Sequence, residues 1–311
     1  MATLLKVYAS EAAAKEAGAT GTYYTSIQEA VNAANSGDTI EIAAGTYGED
    51  VKLQAAAVTG GAKALTFVGA EGAEVVIQGK VQISDAKAVW DVQTIFKNIT
   101  FDYAEGKGGV EIGRGDSQGN NYTNKFEKCK FIGDGFDSNV ISTPARSNAT
   151  KNEYEGCHFI NTNMSLYSEH SFSNCDFENA VPNFQNEQKI SFNGCNFKLT
   201  VTDDMKDKDE LYLIRTKGSI VADKCTFEFD NPDNVVPTAK IPSGLLFGGA
   251  INMDRVILRS PIVVSLQEKI PLMLTCSIPK FKMRKKITVV SMLQMQKVTL
   301  TSLKRQKVLP T

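Results

Sequence analysis

Histidine, tryptophan and long apolar runs are scarce in this chain of 311 residues. It has two histidines and one tryptophan, and its six cysteines include no Cys-x-x-Cys pair, so we expect no zinc site. No apolar run approaches the roughly 18 residues of a membrane-spanning helix, so no membrane span is expected. The formal net charge of −1 gives no reason to expect nucleic-acid binding.

Glycine and asparagine are absent from residues 255–311, which carry 12 Lys and Arg and one acidic residue. Residues 1–254 carry 22 basic and 34 acidic residues. Two interpretations of this basic C-terminal tail are open: a native cap or anchoring segment, or the product of a shifted reading frame. We predict that residues 255–311 are poorly ordered or poorly packed, and that truncation after Ile241 leaves the preceding domain folded.

Five of the six cysteines belong to a repeated unit, aromatic-x-x-Cys-x-Phe. Complete copies lie at 126–131, 154–159, 172–177 and 192–197, and degenerate copies lie at 96–101 and 222–227. The last phenylalanine recurs after 30, 28, 18, 20 and 30 residues. A short constant core with loops of variable length is typical of one coil of a solenoid.

Each unit predicts two strand segments joined by a bend. The cysteine and the second phenylalanine have the same parity along a strand, and the first aromatic residue has the opposite parity. The residue before the cysteine position is Asn or Gly in four of the six copies, and these residues tolerate the left-handed backbone of such a bend. Short strands at this period predict a parallel β-helix whose coils stack about 4.8 Å apart.

The equivalent positions of successive units should form a structural stack inside the coils. We expect its cysteines to be free thiols, because neighbours in register point the same way and not at each other. The predicted stack comprises Cys129, Cys157, Cys175, Cys195, Cys225, Phe101, Phe131, Phe159, Phe177, Phe197 and Phe227.

A single amphipathic helix is predicted near the N-terminus, at residues 25–37. Ile27, Ala30, Val31 and Ala34 form one apolar stripe. Either Thr25 with Gln28 or Ser26 with Glu29 gives a capping box, and Gly37 ends the helix. The alternating stretch 39–42 that follows is typical of a strand.

Residues 22–54 resemble the N-terminal cap and first coil of the pectin-lyase-like right-handed β-helix superfamily, and the stretches 65–79 and 96–101 are similar to its following coils. The resemblance implies an all-β, right-handed parallel β-helix with a short N-terminal capping helix. We divide the chain into a lead segment (1–21), the β-helix (22–241) and the basic tail (242–311). The nearest enzyme pattern is that of pectin methylesterases, whose G-x-Y-x-E element matches Gly45, Tyr47 and Glu49.

The catalytic motifs of that superfamily have no counterpart here. The esterases' Q-D-T, D-F-I-F-G and L-G-R-P-W elements and the polygalacturonases' G-H-G element are absent. The remaining candidate catalytic residues are Asp203 and Asp204, in an acidic loop at 203–210, with Arg215 and Lys217 after it. Such a loop could supply a carboxylate pair or a Ca²⁺ site, although a solvated loop of mixed charge is the simpler interpretation.

The sequence therefore favours a non-catalytic β-helix module of a bacterial cell-surface or secreted protein that binds a polysaccharide or host-surface glycan. The alternative is a divergent polysaccharide lyase, hydrolase or esterase that uses the loop at 203–210, and a third hypothesis is a purely structural module. We expect an extracellular or cell-surface location, although the start of the chain lacks a signal-peptide pattern. We also expect a monomer without a cofactor.

Overall fold

The computed structural model describes the chain at residues 2–53, 63–83, 93–103, 106, 108–112, 123–135, 138–143, 151–185, 190–205, 207, 213–216 and 220–230. Beyond residue 230 it describes the backbone of short strands at 246–247, 251–254, 257–258, 264–266 and 289–291. In these parts, no helix is long and apolar enough to cross a membrane.

The described helices and strands are short. In chain order they are β1 Leu4–Val7, α1 Glu11–Glu16, α2 Ile27–Ala33, β2 Thr39–Ile42, β3 Gly45–Tyr47, β4 Val51–Lys52, β5 Leu65–Gly69, β6 Val75–Ile77, β7 Val81–Ile83, β8 Gln93–Lys97, β9 Thr100–Asp102, β10 Val110–Ile112, β11 Thr123–Glu127, β12 Lys130–Ile132, β13 Ile141–Ser142, β14 Lys151–Glu155, β15 His158–Leu166, β16 Glu169–Ser173, β17 Asp176–Phe184, β18 Ile190–Asn193, β19 Asn196–Thr200, β20 Ile214–Thr216, β21 Ile220–Asp223, β22 Thr226–Asp230, β23 Leu246–Phe247, β24 Ile251–Asp254, β25 Ile257–Leu258, β26 Val264–Leu266 and β27 Val289–Ser291.

The strands stack into a solenoid with three faces. Sheet A contains β1, β2, β5, β8, β11, β14, β16, β18, β21 and β24. The second sheet contains two stacks, which we call B1 and B2. In the early coils these are β3, β6 and β9 (B1) and β4, β7 and β10 (B2). In two adjacent coils, a single long strand (β15 in one, β17 in the next) belongs to both stacks. All these pairings are parallel, so each coil visits A, B1 and B2 in turn.

Two columns of stacked rings fill the interior. The first contains Phe67, Phe96, Phe126, Tyr154, Phe172 and Phe192, with successive ring centroids 4.6–5.3 Å apart. The second contains the phenylalanines from Phe101 to Phe227 that end the repeated units, 4.4–5.2 Å apart. The two columns meet edge to face, as Phe126 and Phe131 do at 5.4 Å, which is a favoured geometry for aromatic pairs.

The predicted left-handed bend is confirmed in every copy of the unit. The residue before each cysteine position has φ between 53° and 66°; these residues are Asn98, Lys128, Gly156, Asn174, Gly194 and Lys224. The bend turns the chain from sheet A into stack B1. A second left-handed bend, which the repeat did not predict, lies inside the long strands at Asn161 (φ 49°) and Asn179 (φ 48°).

The N-terminal region differs from the sequence prediction in two respects. Helix α2 is shorter than predicted and begins after Ser26, whose hydroxyl accepts a hydrogen bond from the Glu29 amide at 3.2 Å. The lead segment 1–21 also forms regular structure: it contains helix α1, and β1 pairs in parallel with β2. Alternation places Leu5 and Val7 in the core, so this segment covers the first coil.

The parallel pairing continues beyond residue 241, where the β-helix was predicted to end. Strand β24 pairs with β21, β25 with β22, and β26 with β27. The remainder of the predicted basic tail lies outside the described residues. Its predicted poor order, its origin and the truncation after Ile241 therefore stay predictions.

Candidate functional site

A row of polar side chains runs along the outer face of stack B2. Parallel pairing places one residue from each of seven successive coils in register. With about 4.8 Å per step, the row is about 29 Å long. We call it the polar row; its residues are Lys52, Gln82, Glu111, Ser142, Ser165, Asn183 and Arg215.

The three residues in the middle of the polar row carry uncharged side chains that can form hydrogen bonds. The side chains of Ser142, Ser165 and Asn183 are partly exposed. Among the described residues, none of the three makes a side-chain hydrogen bond, although the Ser165 amide donates to Asn139 Oδ1 at 3.1 Å. Two hydroxyls and one amide thus lie partly exposed on adjacent coils, without a side-chain partner among the described residues.

An aromatic residue lies beside this middle section. Tyr167 follows Ser165 by two residues and is partly exposed. Its backbone is held on both sides: its amide donates to Thr143 Oγ1, and its carbonyl accepts from the Thr143 hydroxyl at 2.8 Å. The same carbonyl contacts His170 Nε2 at 2.9 Å. A ring with a fixed backbone beside hydrogen-bonding groups can present an apolar surface to a ligand.

Charged residues flank the central section of the polar row, with Glu111 next to Ser142 and Arg215 next to Asn183. Glu111 forms an ion pair with Lys80, and Lys52 is exposed one coil beyond Gln82. At the opposite end Arg215, exposed on β20, already takes part in an interaction within the structure. The three central positions carry no charge.

The residues predicted as catalytic are only partly described. Asp203 is exposed, and Asp204 lies with it in the 3-10 turn Asp203–Met205 that follows stack B1. Arg215 belongs to the polar row, in register with Asn183. Lys217 and residues 206 and 208–210 of the acidic loop lie outside the described residues. Among the described side chains, no cluster of three metal-ligating groups occurs, and Ca²⁺ binding by the loop stays a prediction.

The cysteines of the predicted stack lie one per coil and are buried free thiols. Cys157, for example, donates to the carbonyl of Phe126 on the preceding coil at 3.3 Å. Hydrogen bonding to the adjacent Cys175, together with burial, raises the pKa of the Cys195 thiol to about 12, so that it stays protonated at neutral pH. A nucleophilic thiolate is therefore not available at this position.

The matched G-x-Y-x-E element holds the N-terminal cap in place. Both Glu49 carboxylate oxygens meet the start of α2: they accept from the Ile27 amide at 2.5 Å and from the Ser26 hydroxyl at 2.6 Å. The Tyr47 hydroxyl donates to the Ala43 carbonyl at 2.9 Å. Gly45 has φ +147°, and a Cβ there would lie 2.7 Å from that of Ala9. The element thus has a structural role here.

The repeat does not predict a line of buried polar side chains inside sheet A. Thr94, Asn124, Asn152 and His170 are in register on successive coils and at most 5% exposed. Asn124 Nδ2 donates to Asn152 Oδ1 at 2.9 Å, whereas Asn124 Oδ1 and Asn152 Nδ2 have no hydrogen-bond partner. Burial lowers the pKa of His170 to about 4. The signal was available, since each of these residues precedes the first aromatic position of its unit by two.

Comparison with known proteins identifies the scaffold. A solved structure of pectin methylesterase from carrot is 14% identical over 82% of each chain, with a TM-score of 0.50. The chain has the pectin-lyase-like fold. The right-handed parallel β-helix predicted from the sequence is confirmed. A pectin methylesterase from Aspergillus niger is 19% identical and matches 93% of this chain and 83% of its own, with a TM-score of 0.39. No protein-family model and no curated protein sequence matches.

Proposed function

We propose that the chain is a non-catalytic β-helix module of a cell-surface or secreted protein, and that it binds a polysaccharide along the polar row. The observation that carries the proposal is the set of available hydrogen-bonding groups at Ser142, Ser165 and Asn183, beside the ring of Tyr167. Sugars present many hydroxyl groups and apolar C–H faces, so they need both kinds of contact. The carrot protein with this fold is named for its action on pectin, itself a polysaccharide.

The row also has a shape that suits a long ligand. Its side chains repeat from coil to coil along the solenoid axis, so successive units of an extended polymer can meet equivalent positions. Each single contact is weak, and several repeated contacts on one chain add affinity through effective concentration. We therefore expect affinity for polymers to exceed affinity for monosaccharides.

Binding and turnover should be measured together on a panel of pectic and related polysaccharides. We expect binding by calorimetry without release of reducing ends, unsaturated products or methanol. Tyr167→Ala should weaken binding about tenfold, which corresponds to about 1.4 kcal/mol, and Asn193→Ala on the outer face of sheet A is the matched control. Turnover that Asp203→Ala abolishes would instead establish the enzyme alternative. An absence of binding across the panel would favour a purely structural module.

A further inference from the structure

The charge distribution along the polar row indicates which kind of polysaccharide it fits. We infer, on the basis of the proposed function, that the row binds an uncharged polysaccharide segment, held by Ser142, Ser165 and Asn183 and flanked by Tyr167. The inference concerns three adjacent coils, which span about 10 Å in two steps of about 4.8 Å.

The first argument is the chemistry of the three central positions. Two hydroxyls and one amide both donate and accept hydrogen bonds, which matches the hydroxyl groups of a sugar. None of the three supplies a positive charge to a ligand carboxylate. An anionic sugar placed here would therefore gain no ion pair from these three positions.

The second argument concerns the charged residues nearest to this section. Lys80, which directly precedes β7, forms an ion pair with Glu111. The Glu111 carboxylate would also repel an anionic ligand that passed over it. Arg215, on the other side of Asn183, is separated from Glu111 by the three uncharged positions. The charged residues thus lie on either side of the uncharged section, and they do not form a continuous basic surface along the row.

The rest of the described outer surface makes a useful contrast. On sheet A the outward positions include the ion pairs Lys97–Glu127 (2.7 Å) and Lys125–Glu127 (3.0 Å). Uncharged groups also occur there on adjacent coils, at Ser171 and Ser191, but the aromatic residues that follow them, Phe172 and Phe192, are buried. The middle of the polar row differs, because it combines uncharged hydrogen-bonding groups on consecutive coils with a neighbouring aromatic ring.

The test uses one polymer backbone in two charge states. The probes are a polyuronate in its methyl-esterified, uncharged form, the same polyuronate with free carboxylates, and an uncharged glucan. We expect at least one uncharged probe to bind, with a Kd that changes less than twofold between 50 mM and 500 mM NaCl. The free polyuronate should bind about tenfold more weakly or not at all.

Two variants connect the result to the row. Asn183→Ala should weaken binding of the uncharged probe about tenfold, and Ser165→Ala should also weaken it by removing a hydroxyl at the centre of the row. Asn193→Ala is the matched control on sheet A. Equal or tighter binding of the free polyuronate, weakened by salt, would overturn the inference and leave the proposed function intact. Failure of every polysaccharide to bind would overturn the proposed function itself.

Discussion

Single residues at the bends determine the conformational free energy that is needed to turn the chain in each coil. Asn and Gly occupy four of the six left-handed positions, but Lys128 and Lys224 occupy the other two, with φ of 53° and 55°. A left-handed conformation costs a residue with a Cβ about 1–2 kcal/mol relative to the right-handed one. Both lysines are exposed, so their side chains add little packing to offset that cost.

Replacing these lysines by glycine should therefore stabilise the protein. We expect Lys128→Gly to raise the free energy of unfolding by about 0.5–1 kcal/mol, since glycine removes the strain but has more freedom to lose on folding. Urea denaturation measures the change. Lys130→Gly, an exposed position inside strand β12, is the matched control and should destabilise by a similar amount. Destabilisation by Lys128→Gly would show that the side chain contributes contacts at the bend.

At the scale of the element, sheet A buries two asparagine side chains, and one polar atom of each has no hydrogen-bond partner. Asn124 and Asn152 bond to each other, but Asn124 Oδ1 and Asn152 Nδ2 are unsatisfied. Losing one partner of a buried hydrogen bond costs about 1–3 kcal/mol, whereas replacing both by apolar groups of similar shape is nearly neutral or stabilising. The pair should therefore behave non-additively.

A double-mutant cycle tests this expectation. Asn152→Leu alone should lower the free energy of unfolding by about 2 kcal/mol, because it leaves the Asn124 amide without any partner. Adding Asn124→Leu should recover most of that loss, since leucine has a similar volume and packs within the aromatic interior. Additive losses in urea denaturation would contradict this account and would indicate that other groups, such as internal water, satisfy the two amides.

At the scale of the whole molecule, stability should decrease in acid because His170 is buried. Its pKa falls from 6.5 to about 4 through burial, with Tyr154, Phe172 and Phe184 around the ring. The unfolded chain therefore binds a proton that the folded chain does not between about pH 6.5 and pH 4. Stability is lost as the pH falls through this range, by about 3 kcal/mol in all.

The comparison of wild type with His170→Phe isolates this contribution from that of the carboxylates. Phenylalanine suits the ring column and cannot titrate, so the variant should lose less stability than wild type between pH 6.5 and pH 4. Tyr154 and the neighbouring thiols stay neutral throughout and do not interfere. Parallel curves for the two proteins would show that His170 does not cause the acid sensitivity.

The repeat made the overall solenoid predictable, because each aromatic-x-x-Cys-x-Phe unit contains the end of a sheet A strand, the bend and the start of stack B1. The polar row was not predictable in the same way. Ser165 and Asn183 each follow the cysteine of their unit by 8 residues, but Ser142 follows its cysteine by 13 and Arg215 by 20, so no single spacing identifies the row. Only the backbone pairing of stack B2 brings them into register.

The regular spacing of the coils in stack B2 also places outward-facing positions at equal intervals along the solenoid axis. Moving a chemical group from Ser142 to Ser165 displaces it along the axis by one step of about 4.8 Å, and moving it to Asn183 displaces it by two steps, while keeping nearly the same orientation. Because alternate residues point inward, such changes leave the aromatic columns untouched. The outer face can therefore carry dyes, affinity tags or reactive groups at graduated separations, set by the choice of coil and not by the length of a linker.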